Sequence, residues 1–147
     1  MQRAPGEERL FRVTYGDGDL EFMLQPWFDL DVRPAPGSRY DIVIAGVAKP
    51  DGFDLAGVSR AARRVGGLVR DGGAIVLAAQ LDEDDGAGAD ALPDALVVIA
   101  ASEAPEAVRV AGMRAAVDVE EGLDIAYEHI GRPRRASVVL IPRVTPG

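Results

Sequence analysis

Residues 41–79, "DIVIAGVAKPDGFDLAGVSRAARRVGGLVRDGGAIVLAA", decide the fold class of this chain. Two short, continuous apolar runs, "DIVIAG" and "AIVLAA", enclose a segment whose apolar residues recur at three- and four-residue steps. Continuous apolar runs are typical of strands covered on both faces, and the three-to-four spacing is typical of an amphipathic helix. The stretch therefore predicts a strand, a helix and a second strand, which is the repeating unit of a parallel sheet.

The predicted helix carries signals for both of its ends. Asp54 is a suitable N-cap, and the "DGG" of residues 71–73 is expected to end the helix, because glycine tolerates the left-handed backbone conformation. The predicted apolar face consists of Leu55, Val58, Ala62, Val65 and Val69. The arginines that fall mostly on the other faces are Arg60, Arg63, Arg64 and Arg70.

The same alternation continues to the end of the chain. Continuous apolar runs predict buried strands at "YDIVIAG", "GAIVLAA", "ALVVIAA" and "SVVLIP". A short strand is predicted at "MRAAV". Asp118, with Glu121 three residues later, predicts a capped helix that Gly131 closes, and a shorter helix is expected from about Ala104 to Val110. We therefore predict an α/β fold of three layers, with a mainly parallel sheet and helices on both faces, plus an N-terminal β-hairpin.

We expect all 147 residues to form one domain. Residues 10–25 predict the hairpin, around a Gly-Asp-Gly turn. Residues 26–39 contain three prolines, so regular structure is expected to stop there, in a connector that includes Trp27. Trp27 is expected to pack on the sheet or to contact a partner. Residues 40–142 form the α/β core.

Composition excludes several classes of function. The net charge of −8 disfavours binding to nucleic acids and anionic membranes, and the absence of cysteine excludes disulfides and thiolate-ligated metals. The N-terminal residues "MQRAPGEERLF" contain no apolar export segment, and no run approaches the roughly 20 apolar residues of a membrane span. A cytoplasmic location is expected. Lys49 is the only lysine.

Ligands of parallel sheets bind beyond the carboxyl ends of the strands, which predicts a site in residues 46–52, 80–88, 102–105 and 142–147. The glycine pairs lack the pattern of a dinucleotide or phosphate loop. Residues 82–85 are acidic and suit either a hard cation or a solvated loop, with the loop favoured. His129, the only histidine, is expected to have a packing or surface role. The residues predicted to line a ligand site are Gly46, Lys49, Asp51, Arg60 and Gln80.

The sequence contains three motifs in an order found in a known family. They are "DIVIAGVAKPDGFDLAGVSRAAR", "RDGGAIVLAAQ" and "DGAG". From Tyr40 to the end, the sequence resembles the C-terminal domain of nickel-dependent lactate racemases. The tail from "DALVVIAA" to "ASVVLIP" matches that domain's closing strand, helix, strand, helix and strand. The hairpin "YGDGDLEFMLQP" resembles the extreme N-terminus of those enzymes, so the resemblance covers most of the chain.

The resemblance also implies what is missing. The family's lysine-tethered nickel-pincer cofactor and its histidines belong to a long central region that has no counterpart here. The family's substrate-contacting Tyr, Gln and Lys fall on Ala56, Gly57 and Arg60. One histidine cannot supply the two opposed bases that racemisation of a hydroxy acid requires. We therefore expect no catalytic residue, no metal and no nickel-pincer cofactor.

Three functions follow as hypotheses. The first is a stand-alone, noncatalytic domain that binds a partner protein or a small carboxylate, which an arginine can hold through two hydrogen bonds. The second is an accessory subunit that completes a hydroxy-acid racemase or epimerase encoded on a separate chain. The third is a regulatory pseudoenzyme that acts through the acidic loop or the Trp27 connector, with a homodimer as one form.

Overall fold

The structure is a computed structural model that describes residues 10–48, 55–80, 92–101, 108 and 112–144. Within these residues, six further strands and two helices follow an initial hairpin. The strands are β1 (Leu10–Gly16), β2 (Gly18–Met23), β3 (Phe28–Asp31), β4 (Tyr40–Ala48), β5 (Val69–Ala78), β6 (Leu96–Ala100), β7 (Arg114–Ala116) and β8 (Ala136–Val144). The helices are α1 (Leu55–Val65) and α2 (Val119–His129), with a 3-10 turn over Gly66–Leu68.

One sheet contains all eight of these strands. Strand β4 pairs with β5 on one side and with β8 on the other, and β3 lies outside β8. Strands β6 and β7 follow β5, and every one of these pairings is parallel. Strand β1 joins β4 in parallel over two residue pairs, and β2 pairs with β1 in antiparallel register. The predicted α/β class, with its parallel sheet and N-terminal hairpin, is confirmed.

The sheet separates two apolar clusters, because successive residues of β4 point to opposite faces. Val43 and Val47 face α1, which contributes the buried Val58 and Val65. On the other side, Ile42 and Ile44 belong to a cluster that receives Val119, Leu123 and Ala126 from α2. Val13 and Phe22 of the hairpin join the same cluster. The three predicted layers are therefore present, with the hairpin and α2 sharing one face.

The predicted N-terminus of α2 is confirmed at its first turn. The Asp118 side chain accepts the Glu121 N–H at 2.8 Å, as an N-cap does. The Glu121 carboxylate accepts the Val117 N–H at 2.9 Å, one residue before the expected capping-box donor. At the other end Gly131 has a φ of +90°, which favours glycine and ends the helix there as predicted.

The predicted C-terminus of α1 is wrong. The helix ends at Val65, and Val69 opens β5, where it pairs with Tyr40 instead of continuing the helical face. Gly66 and Gly67 follow directly and are poor helix formers, so the helix stops before the "DGG" of residues 71–73. Those three residues lie inside β5.

The expectation that regular structure stops throughout residues 26–39 is also wrong. Phe28–Asp31 form β3, which pairs with β8 at the edge of the parallel strands. Proline breaks a strand only where its missing N–H is needed, and no proline lies within β3. The predicted helix near residues 104–110 falls outside the described residues except for the buried Val108, whereas the strand predicted in "MRAAV" is confirmed as β7.

A polar cluster at the amino-terminal end of β4 joins three strands. The Asp41 carboxylate accepts hydrogen bonds from the Arg70 guanidinium and, at 3.0 Å, from the Ser137 N–H. The Asp41 N–H in turn donates to Ser137 Oγ at 3.0 Å. Burial works to raise the pKa of Asp41, but the hydrogen bonds from Arg70 and Ser137 outweigh it and hold this pKa below its usual value.

We expect Asp41→Asn to lower the free energy of unfolding by about 1 kcal/mol at neutral pH, since it removes a charged acceptor from a half-exposed arginine. Because the pKa of Asp41 is lowered in the folded state, the carboxylate stabilises the fold above the unfolded-state pKa of about 3.9. This contribution is lost as the pH falls through the folded-state pKa. Urea unfolding at neutral and acidic pH measures it.

The control is Asp71→Asn, which changes an exposed carboxylate next to the same arginine. It is expected to have little effect at either pH. An Asp41→Asn deficit of equal size at neutral and strongly acidic pH would contradict the electrostatic explanation, because protonated aspartic acid is neutral like the amide.

Candidate functional site

The carboxyl ends of β4, β5, β6 and β8 lie at one edge of the sheet, because these strands are parallel neighbours. This edge is where parallel sheets bind ligands. The structure describes three of the five predicted site residues, namely Gly46, Arg60 and Gln80. Lys49 and Asp51 lie outside the described residues, as does the acidic loop of residues 82–85.

Gly46 and Gln80 lie on neighbouring strands at this edge. Gly46 is in β4 and pairs with Ala78, the last residue of β5. Gln80 follows two residues later and is partly buried. Its neighbour Ala79 donates a backbone hydrogen bond to Ala100 at 3.1 Å, which extends the sheet contact beyond β5. Gln80 thus follows the end of a buried strand, next to the strand that carries Gly46.

Gly46 allows close packing of neighbouring strands, which the sequence did not reveal. A Cβ at this position would lie 2.5 Å from Thr14 O, 2.6 Å from Thr14 N and 2.6 Å from Pro142 O. These are backbone atoms of β1 and β8, two of the strands that pair with β4. The pairing of β4 with β8 is irregular at this point, between Ala45 and Val47. Only a residue without a side chain allows both strands to approach so closely.

Arg60 is exposed on α1 and takes part in an interaction. It is five residues after Leu55, so it lies about 7 Å along the helix axis from the first residue of α1. The helix follows β4 in the chain, and its first residues are therefore closer to the carboxyl edge than its last. Arg60 thus lies at the midpoint of α1, about one and a half turns further from this edge than the start of the helix.

Sequence reasoning missed Ser59, the residue beside Arg60. Ser59 is the buried polar side chain of the described core, and its Oγ has no hydrogen-bond partner among the described residues. An unsatisfied buried hydroxyl costs roughly 1–3 kcal/mol, so a serine on the packed face of a helix is unusual. The feature of the sequence that could have indicated this buried hydroxyl is the position of Ser59, directly after Val58 of the predicted apolar face.

His129 and Trp27 lie away from this edge. The exposed His129 ends α2, which returns toward the amino ends of the strands, and it lines a shallow depression with Arg114 and Asp124. Trp27 is 38% exposed, and its ring lies 5.9 Å from that of Tyr127. His129 is at the surface as one of its predicted roles required, and Trp27 both packs against a ring and remains partly exposed.

Among the described residues, no group of three or more histidine, cysteine, aspartate or glutamate side chains could hold a metal ion. Likewise, neither described helix is long and apolar enough to span a membrane.

No protein-family model and no curated protein sequence matches this chain. Among solved structures, the lactate racemase apoprotein from Thermoanaerobacterium thermosaccharolyticum aligns with a TM-score of 0.57 and 19% sequence identity. The alignment covers 72% of this chain and 34% of that chain. The chain has a lactate racemase-like fold. At this level of identity the similarity establishes the fold, and the matched region spans about a third of the racemase.

We expect Gly46→Ala to destabilise the protein by about 3 kcal/mol or more, because the added methyl group meets three backbone atoms that cannot rotate away. Gly67→Ala is the control, since nothing lies within 4 Å of a Cβ at that position. Urea unfolding compares the two variants. If Gly46→Ala is as stable as Gly67→Ala, the close approach of β1 and β8 is not what requires glycine here.

Proposed function

We propose that this chain is a noncatalytic α/β domain, similar to the C-terminal domain of nickel-dependent lactate racemases, which binds a small carboxylate or a partner protein at the carboxyl edge of its sheet. The observation that carries the proposal is the lactate racemase-like fold over 72% of the chain. The proposed ligand-binding residues are Gly46, Lys49, Asp51, Arg60 and Gln80. Arg60 would supply the positive charge for a carboxylate.

The geometry of the edge supports a small anionic ligand. Gly46 and Gln80 lie at the ends of adjacent strands, and α1 begins beyond the same edge, where the N-terminal end of the helix favours negative charge. Gln80 offers an amide that can donate to a carboxylate oxygen. A carboxylate bound here would therefore meet a hydrogen-bond donor, a helix N-terminus and the Arg60 guanidinium.

Catalysis by this chain alone is not part of the proposal. Racemisation at the carbon of a hydroxy acid removes a proton from one face and returns one to the other, which requires two opposed groups. The 147 residues contain one histidine, and it is distant from the proposed edge. We expect this chain alone not to bind the nickel-pincer cofactor.

We expect D- or L-lactate, or another small hydroxy acid, to raise the melting temperature of the purified protein, because a ligand that binds only the folded state stabilises it. Arg60→Ala is expected to abolish the increase, because it removes the charge that holds the carboxylate. Differential scanning fluorimetry at millimolar acid measures both effects.

The matched control is Arg64→Ala, which removes the same charge one helical turn further from the edge and should keep the ligand response. The carboxylate version of the proposal is wrong if no acid shifts the melting temperature. It is also wrong if Arg60→Ala responds to the acids as the unchanged protein does.

A second candidate is an accessory subunit that completes a hydroxy-acid racemase or epimerase on a separate chain. The observation that favours it is coverage, because the matched region corresponds to only 34% of the racemase chain. This candidate requires another polypeptide that contributes the histidine- and lysine-bearing region.

We expect such a polypeptide to be encoded near this gene and to copurify with this chain when both are expressed together. The complex should interconvert lactate or another hydroxy acid, and this chain alone should not. Polarimetry or a chiral assay of the complex and of each chain measures the activity. A complex with no activity on any hydroxy acid, or two chains that purify separately, would rule out the accessory role.

A further inference from the structure

A groove lies between the hairpin and α2, on the face of the sheet opposite α1. It has a volume of about 290 Å³ and is lined by Met23, Leu24, Gln25, Phe28, Glu120, Leu123 and Asp124. Leu24, Phe28 and Leu123 are buried members of the apolar cluster beneath it. The volume is at or below the lower limit of small-molecule pockets, roughly 300 Å³, and suits a single inserted side chain.

Two carboxylates stand on one wall of this groove. Glu120 and Asp124 are four residues apart on α2, so their side chains project from the same side of the helix on successive turns. Glu120 Oε2 accepts the Met23 N–H at 2.9 Å, which fixes α2 against the end of β2. Asp124 takes part in none of the ion pairs between described residues. None of the described residues that line the groove is cationic, so the described part of its wall carries negative charge.

Exposed apolar side chains line this groove or lie on residues next to its lining. Large exposed apolar residues are few in the described chain, and Met23, at 38% exposed, is one of them. Leu10, 62% exposed, is its cross-strand partner. The ring of Trp27 lies 6.2 Å from that of Phe28, a lining residue, and the exposed Val117 comes just before the first turn of α2. Apolar side chains gathered around one groove indicate a protein-binding surface.

We propose that this groove binds a segment of a partner protein in which a lysine or arginine is flanked by apolar side chains. The apolar stem of the cation would contact Leu24, Phe28 and Leu123, while its charged end reaches Asp124. The flanking apolar side chains would cover Met23 and Leu10. The combination of an apolar floor, an acidic wall and an apolar rim complements a segment of that kind. This inference does not depend on the proposed carboxylate site, because none of the described residues of that site lines the groove.

The test uses the ¹⁵N-labelled chain and the blocked pentapeptide Ala-Leu-Arg-Leu-Ala as the probe. Amide resonances of Met23, Gln25 and Asp124 are expected to shift on titration, and binding should weaken as salt is added. Two further peptides separate the contributions. Ala-Leu-Glu-Leu-Ala reverses the charge and Ala-Ser-Arg-Ser-Ala removes the apolar flanks, and both are expected to bind at least about tenfold more weakly.

Two variants with matched controls locate the site. Asp124→Arg is expected to raise the Kd of the first peptide about tenfold or more, whereas Asp94→Arg, the same change at an exposed position outside the groove, should leave it unchanged. Met23→Gln should weaken binding, and Val32→Gln, at another exposed apolar residue, should not. Melting temperatures of the four variants verify that each is folded.

Several outcomes overturn the proposal. One is the absence of groove shifts at millimolar peptide, and another is equal binding of the arginine and glutamate peptides. Groove resonances that shift with protein concentration in the absence of peptide would assign the surface to a second copy of this chain instead.

Discussion

Strand β4 is the element on which the rest of the structure depends. Its hydrogen bonds to β5, β8 and β1 place it at the centre of the sheet. Because both of its faces are also covered, Ile42, Val43 and Ile44 are fully buried. A strand enclosed in this way cannot form hydrogen bonds to water through its backbone. The strands that pair with β4 must therefore be in place when β4 folds. Each helix packs on one face of the sheet that β4 centres, α1 on one face and α2 on the other.

The two ends of β4 are secured by different means. At its amino end, Asp41 joins the strand to Arg70 of β5 and Ser137 of β8 through polar contacts. At its carboxyl end, the absence of a side chain at Gly46 admits the backbones of β1 and β8 together. Gly46, which the sequence analysis placed in a ligand site, is therefore also required by packing. Its identity alone is no evidence of a ligand.

The two proposed binding surfaces differ in the physical basis of recognition. At the carboxyl edge, Gln80, the start of α1 and Arg60 favour a negatively charged group. In the groove beside α2, Asp124 and an apolar floor favour a positively charged one. The sheet separates α1 from α2, and no described residue belongs to both proposed surfaces.

The sequence by itself determined the α/β class, the hairpin and the capped start of α2, because these features depend on residues near one another in the chain. Apolar runs, the Gly-Asp-Gly turn and the Asp118 cap act locally. Tertiary structure decided the rest. Val69 became a strand residue because it pairs with Tyr40, and β3 formed inside the proline-rich segment because β8 offered it an edge. The clash at Gly46 and the groove beside α2 join segments distant in sequence, and no local pattern encodes such contacts.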